Sequence, residues 1–120
     1  MIAALLVGLA GGVGASTRYA VEAGVTGRVG SRWPWGTGVV NVLASVILGL
    51  VTGLVTERSG SDLALVLGTG FCGGFSTWSA VTWEVLMLGR RSTARAAVYA
   101  VVAPASSIAA AVLGLAVGRL

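Results

Sequence analysis

The apolar block Leu63 to Leu88 is long enough to cross a bilayer, yet at its centre it carries the run Gly68-Thr69-Gly70-Phe71-Cys72-Gly73-Gly74-Phe75-Ser76-Thr77-Trp78-Ser79. Glycines and hydroxyl side chains make a poor continuous helix. Non-helical backbone at membrane depth is tolerated only where protein covers it or where it lines a polar cavity. The run therefore predicts a broken helix at an ion or substrate site.

Three further apolar blocks, Ile2 to Ala20, Gly36 to Thr56 and Ala96 to Val117, flank this one. Each approaches the ~20 residues that a helix needs to span a bilayer core. The mean hydropathy of +0.93 and a charged fraction of 10% fit a chain whose solvent is mostly lipid. The connections Val21 to Trp35, Glu57 to Asp62 and Gly89 to Arg95 are too short for a domain of their own. The expectation is one unit over residues 1–120: an all-α integral membrane four-helix bundle with spans near 2–20, 36–56, 63–88 and 96–117. The first block lacks a positively charged leader and is read as a retained span and not a cleaved signal.

Cys72 is the single cysteine, histidine is absent, and the acids number four. No intrachain disulfide, imidazole or thiolate metal site, or nucleophile–base dyad can be assembled from these, so an enzyme is not expected. All eight basic residues are arginines. They lack the aromatic-interleaved basic face of a nucleic-acid binder, and their partner surface is phospholipid. Arg28, Arg32, Arg90, Arg91 and Arg95 fall on one side of the four spans, while Arg58 and Arg119 fall on the other. The bias places both termini outside the cell.

Glycines four apart recur in every span: Gly8 and Gly12, Gly49 and Gly53, Gly70 and Gly74, Gly114 and Gly118. Such pairs strip bulk from one helix face and predict close backbone packing. Polar residues also form stripes. Asn41, Ser45, Gly49 and Thr52 share a face of the second span, and Tyr99 and Ser107 share one of the fourth, with Ser106 and Pro104 beside them. Serine and threonine can bond back to their own helix. Asn41 has no such outlet, and it predicts a protein interior or a wet path.

Taken in order, Gly11-Gly12-Val13-Gly14-Ala15-Ser16-Thr17-Arg18-Tyr19, Gly36-Thr37 with Asn41, and Gly70-Phe71-Cys72-Gly73-Gly74-Phe75-Ser76-Thr77 with Glu84 resemble the signatures of the small bacterial fluoride channels, the Fluc or CrcB family. The resemblance runs from the first span to the fourth. It implies a four-span subunit that pairs antiparallel with a second one and carries fluoride along aromatic edges and a polar track. By motif position it marks the backbone carbonyls of Gly73 and Ser76 as ligands of a structural, untransported sodium ion. It assigns Asn41, Phe75, Trp78, Ser79, Tyr99 and Ser107 to the fluoride pathway and Arg18 to the aqueous entrance. Glu84 either hydrogen-bonds the bundle or attracts a cation, or is a partly buried, paired carboxylate of structural value.

The departures from that pattern are specific. The two pore phenylalanines of the family fall on Trp78 and Val81, the threonine between them on Ala80, and the track position between Tyr99 and Ser107 on Ala103. Phe75, Trp78 and Val81, three apart, are expected to share one helix face. A worn lining together with a strong arginine bias favours a fixed-orientation half of a heterodimer over a homodimer. Two other classes compete: a non-conducting structural or assembly subunit, and a small multidrug antiporter. The antiporter needs a carboxylate in mid first span, where this chain has none.

Overall fold

The computed structural model describes residues 1–55 and 62–120; Arg58, the Thr56 end of the expected second span and the Glu57 end of the second connection lie outside them. Helix α1 is Ile2–Val29 and α2 is Trp35–Val55. The third span, Asp62–Gly89, is composite. A short α3 (Asp62–Ala64) leads into a π-helical stretch, Leu65–Cys72; α4 (Gly73–Phe75) follows, and after a break α5 is Ser79–Gly89. Helix α6, Thr93–Gly118, completes four spans of membrane-crossing length and apolarity. No strand occurs among the described residues.

Helix α1 is longer than the first apolar block. It continues through Val21–Val29, residues expected in a connection, and the loop shrinks to residues 30–34. At 28 residues it is about 42 Å long at 1.5 Å per residue, against a bilayer core of about 30 Å. Its polar last turns need no lipid to stay helical. Gly30 ends the helix at φ 83°, a conformation other residues adopt with strain, and its N–H closes on the Thr26 carbonyl at 2.9 Å. Helix α6 starts on Ser92, whose hydroxyl accepts from the Arg95 N–H at 3.3 Å.

Glycine seams hold the bundle in two pairs. A Cβ placed on Gly49 or Gly53 would meet the backbone of α6 at Ala111 and Leu115, and one on Gly114 or Gly118 would meet the α2 backbone at Val46 and Leu50. Likewise Gly70 lies against Val7 and Gly74 against Gly11, while Gly14 on α1 lies against Phe71 and Phe75. Three of the four spaced pairs therefore mark real approaches. The fourth does not: Gly8 and Gly12 meet nothing within 4 Å, and Gly11 and Gly14 make the α1 side of the seam instead. Spacing states that a smooth face exists on a helix and leaves open which neighbouring face is used.

Inside, Val40, Ala44 and Phe75 form one buried cluster, with Val21 and Phe71 against it. Val81, Leu88, Ala96, Tyr99 and Ala103 form another between α5 and α6. Much of each span remains uncovered. Leu5, Leu9, Trp78, Trp83, Ile108 and Leu113 are all at least 60% exposed, apolar surface that suits lipid or a second subunit and not water.

Candidate functional site

The third span breaks between α4 and α5. Ser76 turns extended, with φ −78° and ψ 161°, and residues 76–78 leave the helix. Backbone groups freed in this way must find partners at membrane depth. Asn41 supplies two of them: its Nδ2 donates to the Thr77 carbonyl at 2.9 Å, and its Oδ1 accepts from the Thr77 N–H at 2.8 Å. The Thr77 hydroxyl then accepts from the Ala80 N–H at 3.1 Å and lies 3.2 Å from the Ser79 hydroxyl, capping the start of α5.

These bonds have a consequence for two carbonyls. A continuous helix aims the N–H of Thr77 at the Gly73 carbonyl and that of Ala80 at the Ser76 carbonyl. Here Asn41 takes the first N–H and the Thr77 hydroxyl takes the second. Gly73 and Ser76 thereby lose their helical partners, and both line a recess of about 130 Å³ beside Ser45 and Cys72. Carbonyl oxygens of this kind suit a hard cation such as sodium. Two of them are too few to complete its coordination shell. Gly73 faces open space.

On the other side of the break lies a cavity of about 370 Å³, lined by Asn41, Ser45, Ser76, Thr77, Trp78, Val81, Ala103, Pro104, Ser107 and Ile108. It gathers three of the expected pathway residues: Asn41, Trp78 and Ser107. Asn41 still has one amide hydrogen unused by Thr77, because an NH₂ group donates twice. Trp78 is 70% exposed at the rim. The hydroxyls of Ser106 and Ser107 both donate to the Ala103 carbonyl at 3.0 Å, and that of Ser45 donates to the Asn41 carbonyl at 2.7 Å. Hydroxyl rotors held this way can turn toward an arriving anion.

Other expected residues lie elsewhere. Phe75 is 3% exposed and stacks on Phe71 with ring centres 5.4 Å apart, away from the cavity. The extended backbone at Ser76 interrupts helical phase, so Phe75 shares no face with Trp78 and Val81. Ser79 joins the cap and is exposed. Tyr99 and Ser107, eight residues apart, differ by about 80° around an α-helix. Tyr99 accordingly faces a second cavity of about 340 Å³ next to Trp33, which it meets edge-on at 5.5 Å. Arg18 is partly buried on α1, one turn before Glu22.

Sequence reasoning missed the place of Glu22. Thr37 is buried on α2, and Glu84 on α5 is half-buried. Glu22 Oε1 and the Tyr99 hydroxyl are buried without hydrogen-bond partners. Glu22 was expected in a loop, and only the continuation of α1 past Ala20 brings it to the bundle. Among the described residues no cluster of three or more Cys, Asp or Glu side chains forms a metal centre.

Comparison with known proteins places the chain among small membrane proteins. The family model for CrcB-like protein, Camphor Resistance (CrcB), matches residues 5–115. The chain is 43% identical over 118 residues to the fluoride-specific ion channel FluC 1 of Symbiobacterium thermophilum, covering 95% of each protein. It is 39% identical over 122 residues to the fluoride-specific ion channel FluC of Rhizobium leguminosarum bv. trifolii, with 99% of this chain and 98% of that one aligned. A FluC of Hyphomonas neptunium is 39% identical over 119 residues, 96% of this chain and 94% of its own.

Proposed function

Because this chain belongs to the CrcB-like family, we propose that it is a subunit of a fluoride-selective channel that lets cytoplasmic fluoride leave the cell passively. The observation that carries the reading is the helix break held by Asn41 beside a cavity that Trp78 and Ser107 also line. Fluoride is small and holds water tightly. A selective path must replace that water with donors and with the weakly positive edges of aromatic rings. The free amide hydrogen of Asn41, the Ser107 hydroxyl and the Trp78 ring edge supply such groups. Arg18, near the entrance, raises the local anion concentration.

A passive channel suffices for the task. Neutral HF crosses the membrane from acidic surroundings and dissociates in the cytoplasm, and an inside-negative potential favours exit of the anion by about 2.3 kcal/mol per 100 mV. No coupling carboxylate in mid first span is needed.

The rest of the reading concerns assembly. The freed Gly73 and Ser76 carbonyls would hold a structural sodium ion together with oxygens of an antiparallel second subunit. When bound, that ion offsets carbonyl dipoles that otherwise face one another unpaired. The arginine bias supports a fixed orientation with both termini outside. The apolar Ala80, Val81 and Ala103 where a polar or aromatic lining is expected support an oppositely oriented partner that completes the path. Val81 and Ala103 on the cavity wall also favour a second reading, a non-conducting assembly subunit.

Flux separates the two. Liposomes containing the purified chain and its partner are expected to pass fluoride and to hold back chloride, and cells lacking either chain to become fluoride-sensitive. Liposomes that pass no fluoride, or chloride equally well, reject the channel.

A further inference from the structure

Helices α2 and α6 touch backbone to backbone at Gly49 and Gly53 but not along their first turns. There a cavity of about 340 Å³ lies between Trp35, Val39 and Val42 on α2 and Tyr99 and Val102 on α6, with Trp33 of the loop at its end. Gly38 also lines it, and a Cβ on Gly38 would meet nothing within 4 Å. Trp33 is held in place edge-on against the Tyr99 ring. Trp35, Leu43 and Val102 are exposed, so the cavity is a groove open to the surroundings of the helices. From Trp35 to Leu43 the α2 wall runs about 12 Å, most of one leaflet of a bilayer core about 30 Å thick.

The loop end of this groove is basic. Arg32 directly precedes Trp33, and Arg95 lies one turn before Tyr99, on the stripe of α6 that carries Tyr99 and Val102. Both arginines are exposed, and neither has an ion-pair partner among the described residues. An apolar slot one leaflet deep, with tryptophans at its mouth and two unpaired guanidinium groups at its water end, complements a phospholipid. The slot takes an acyl chain, and the guanidiniums take the phosphate, which matches their fork of donors. A zwitterionic headgroup carries its own cation to its phosphate; an anionic one leaves that place to the protein.

We propose that the groove between α2 and α6 binds one anionic phospholipid, its acyl chain along Val39 and Val42 and its headgroup phosphate on Arg32 and Arg95. The groove meets the cavity at the helix break at Ala103, which lines both, and opens on a different face of α6. The site is therefore independent of whether the chain conducts.

The test measures lipid contact and needs no flux. In a variant carrying Trp78→Phe and Trp83→Phe, the remaining tryptophans, Trp33 and Trp35, both lie on the groove. This variant is reconstituted in phosphatidylcholine vesicles with rising fractions of phosphatidylglycerol brominated on its acyl chains, or of phosphatidylcholine brominated in the same way. Quenching by the anionic lipid is expected to saturate at a fraction about tenfold below that needed with the zwitterionic one, and Arg32→Gln and Arg95→Gln each to raise that fraction about fivefold. Arg119→Gln, at the opposite end of α6, is expected to change nothing. Gly38→Leu fills the groove from a position with open space and is expected to abolish the preference, with circular dichroism showing that the helices remain. Equal quenching by the two lipids overturns the proposal, as does a preference that survives Gly38→Leu or the paired arginine substitutions. A preference lowered as much by Arg119→Gln reports surface charge alone and overturns it too. Displacement of the lipid by inorganic phosphate assigns the arginines to a soluble anion, and tryptophans that neither brominated lipid reaches show a groove covered by protein; either result rejects the lipid site.

Discussion

The Asn41 side chain reads both backbone polar groups of Thr77, 36 residues away in sequence, donating at 2.9 Å and accepting at 2.8 Å. An amide carries its donor and its acceptor on separate atoms and so can do both at once. Asn41 therefore has two tasks, holding the break and presenting its remaining N–H to the cavity.

Substitutions at Asn41 are expected to separate those tasks. Asn41→Ala strands the Thr77 N–H and carbonyl, at a cost of about 1–3 kcal/mol for each group left unsatisfied. Asn41→Asp keeps the acceptor and so costs less stability, but it sets a negative charge beside the pathway. Thermal unfolding in detergent is expected to rank native above Asp above Ala, while liposome fluoride efflux is lost in both variants. Native flux in Asn41→Asp removes this residue from the path.

A methyl group tests the seams. Gly74→Ala drives a Cβ into the Gly11 backbone, and Gly14→Ala drives one into Phe71, contacts that no side-chain rotation relieves. Overpacking of this kind costs about 1–3 kcal/mol. Gly8→Ala meets open space and is expected to fall within about 0.5 kcal/mol of native. Melting temperatures followed by tryptophan emission decide it, and equal values for Gly8→Ala and Gly74→Ala contradict the packing described.

Orientation is accessible to labelling. In a Cys72→Ser background, Ser31→Cys places a thiol at an exposed position of the 30–34 loop, close in sequence to Arg28 and Arg32. A membrane-impermeant maleimide is expected to reach it from the cytoplasmic side alone, and to reach Leu120→Cys from outside alone. Equal labelling of Ser31→Cys from both faces restores a dual-topology homodimer.

Cation exchange probes the break. If the Gly73 and Ser76 carbonyls share sodium with a second subunit, replacing sodium by N-methylglucamine is expected to shift the assembly toward monomer on gel filtration and to stop flux. An assembly and a flux indifferent to the cation leave those carbonyls without the proposed role.

The broken third span was legible because glycine and hydroxyl residues at membrane depth have few other uses. Its detail was not. Composition marks residues 68–79 as irregular, whereas the chain widens to a π-helix over Leu65–Cys72 and leaves helix only at 76–78. Once Ser76 turns extended, periodicity no longer carries across it, which is why Phe75 parted from Trp78. The Asn41 fork joins two segments that no local pattern links. Glu22 was assigned to a loop because hydropathy falls after Ala20, and hydropathy measures lipid preference, not helix formation.

The glycine seams carry a consequence for inheritance. What holds α2 to α6 and α1 to the broken span is backbone against backbone at Gly49, Gly53, Gly114, Gly118, Gly14, Gly70 and Gly74. Trp78, Val81, Ala103 and Ser107 lie on the cavity, off those lines. After a gene duplicates, selection to fold acts on the first set and selection to conduct on the second, and a copy released from conduction can exchange its lining residue by residue while still inserting and pairing. Family membership and ion flux can therefore part company within one lineage.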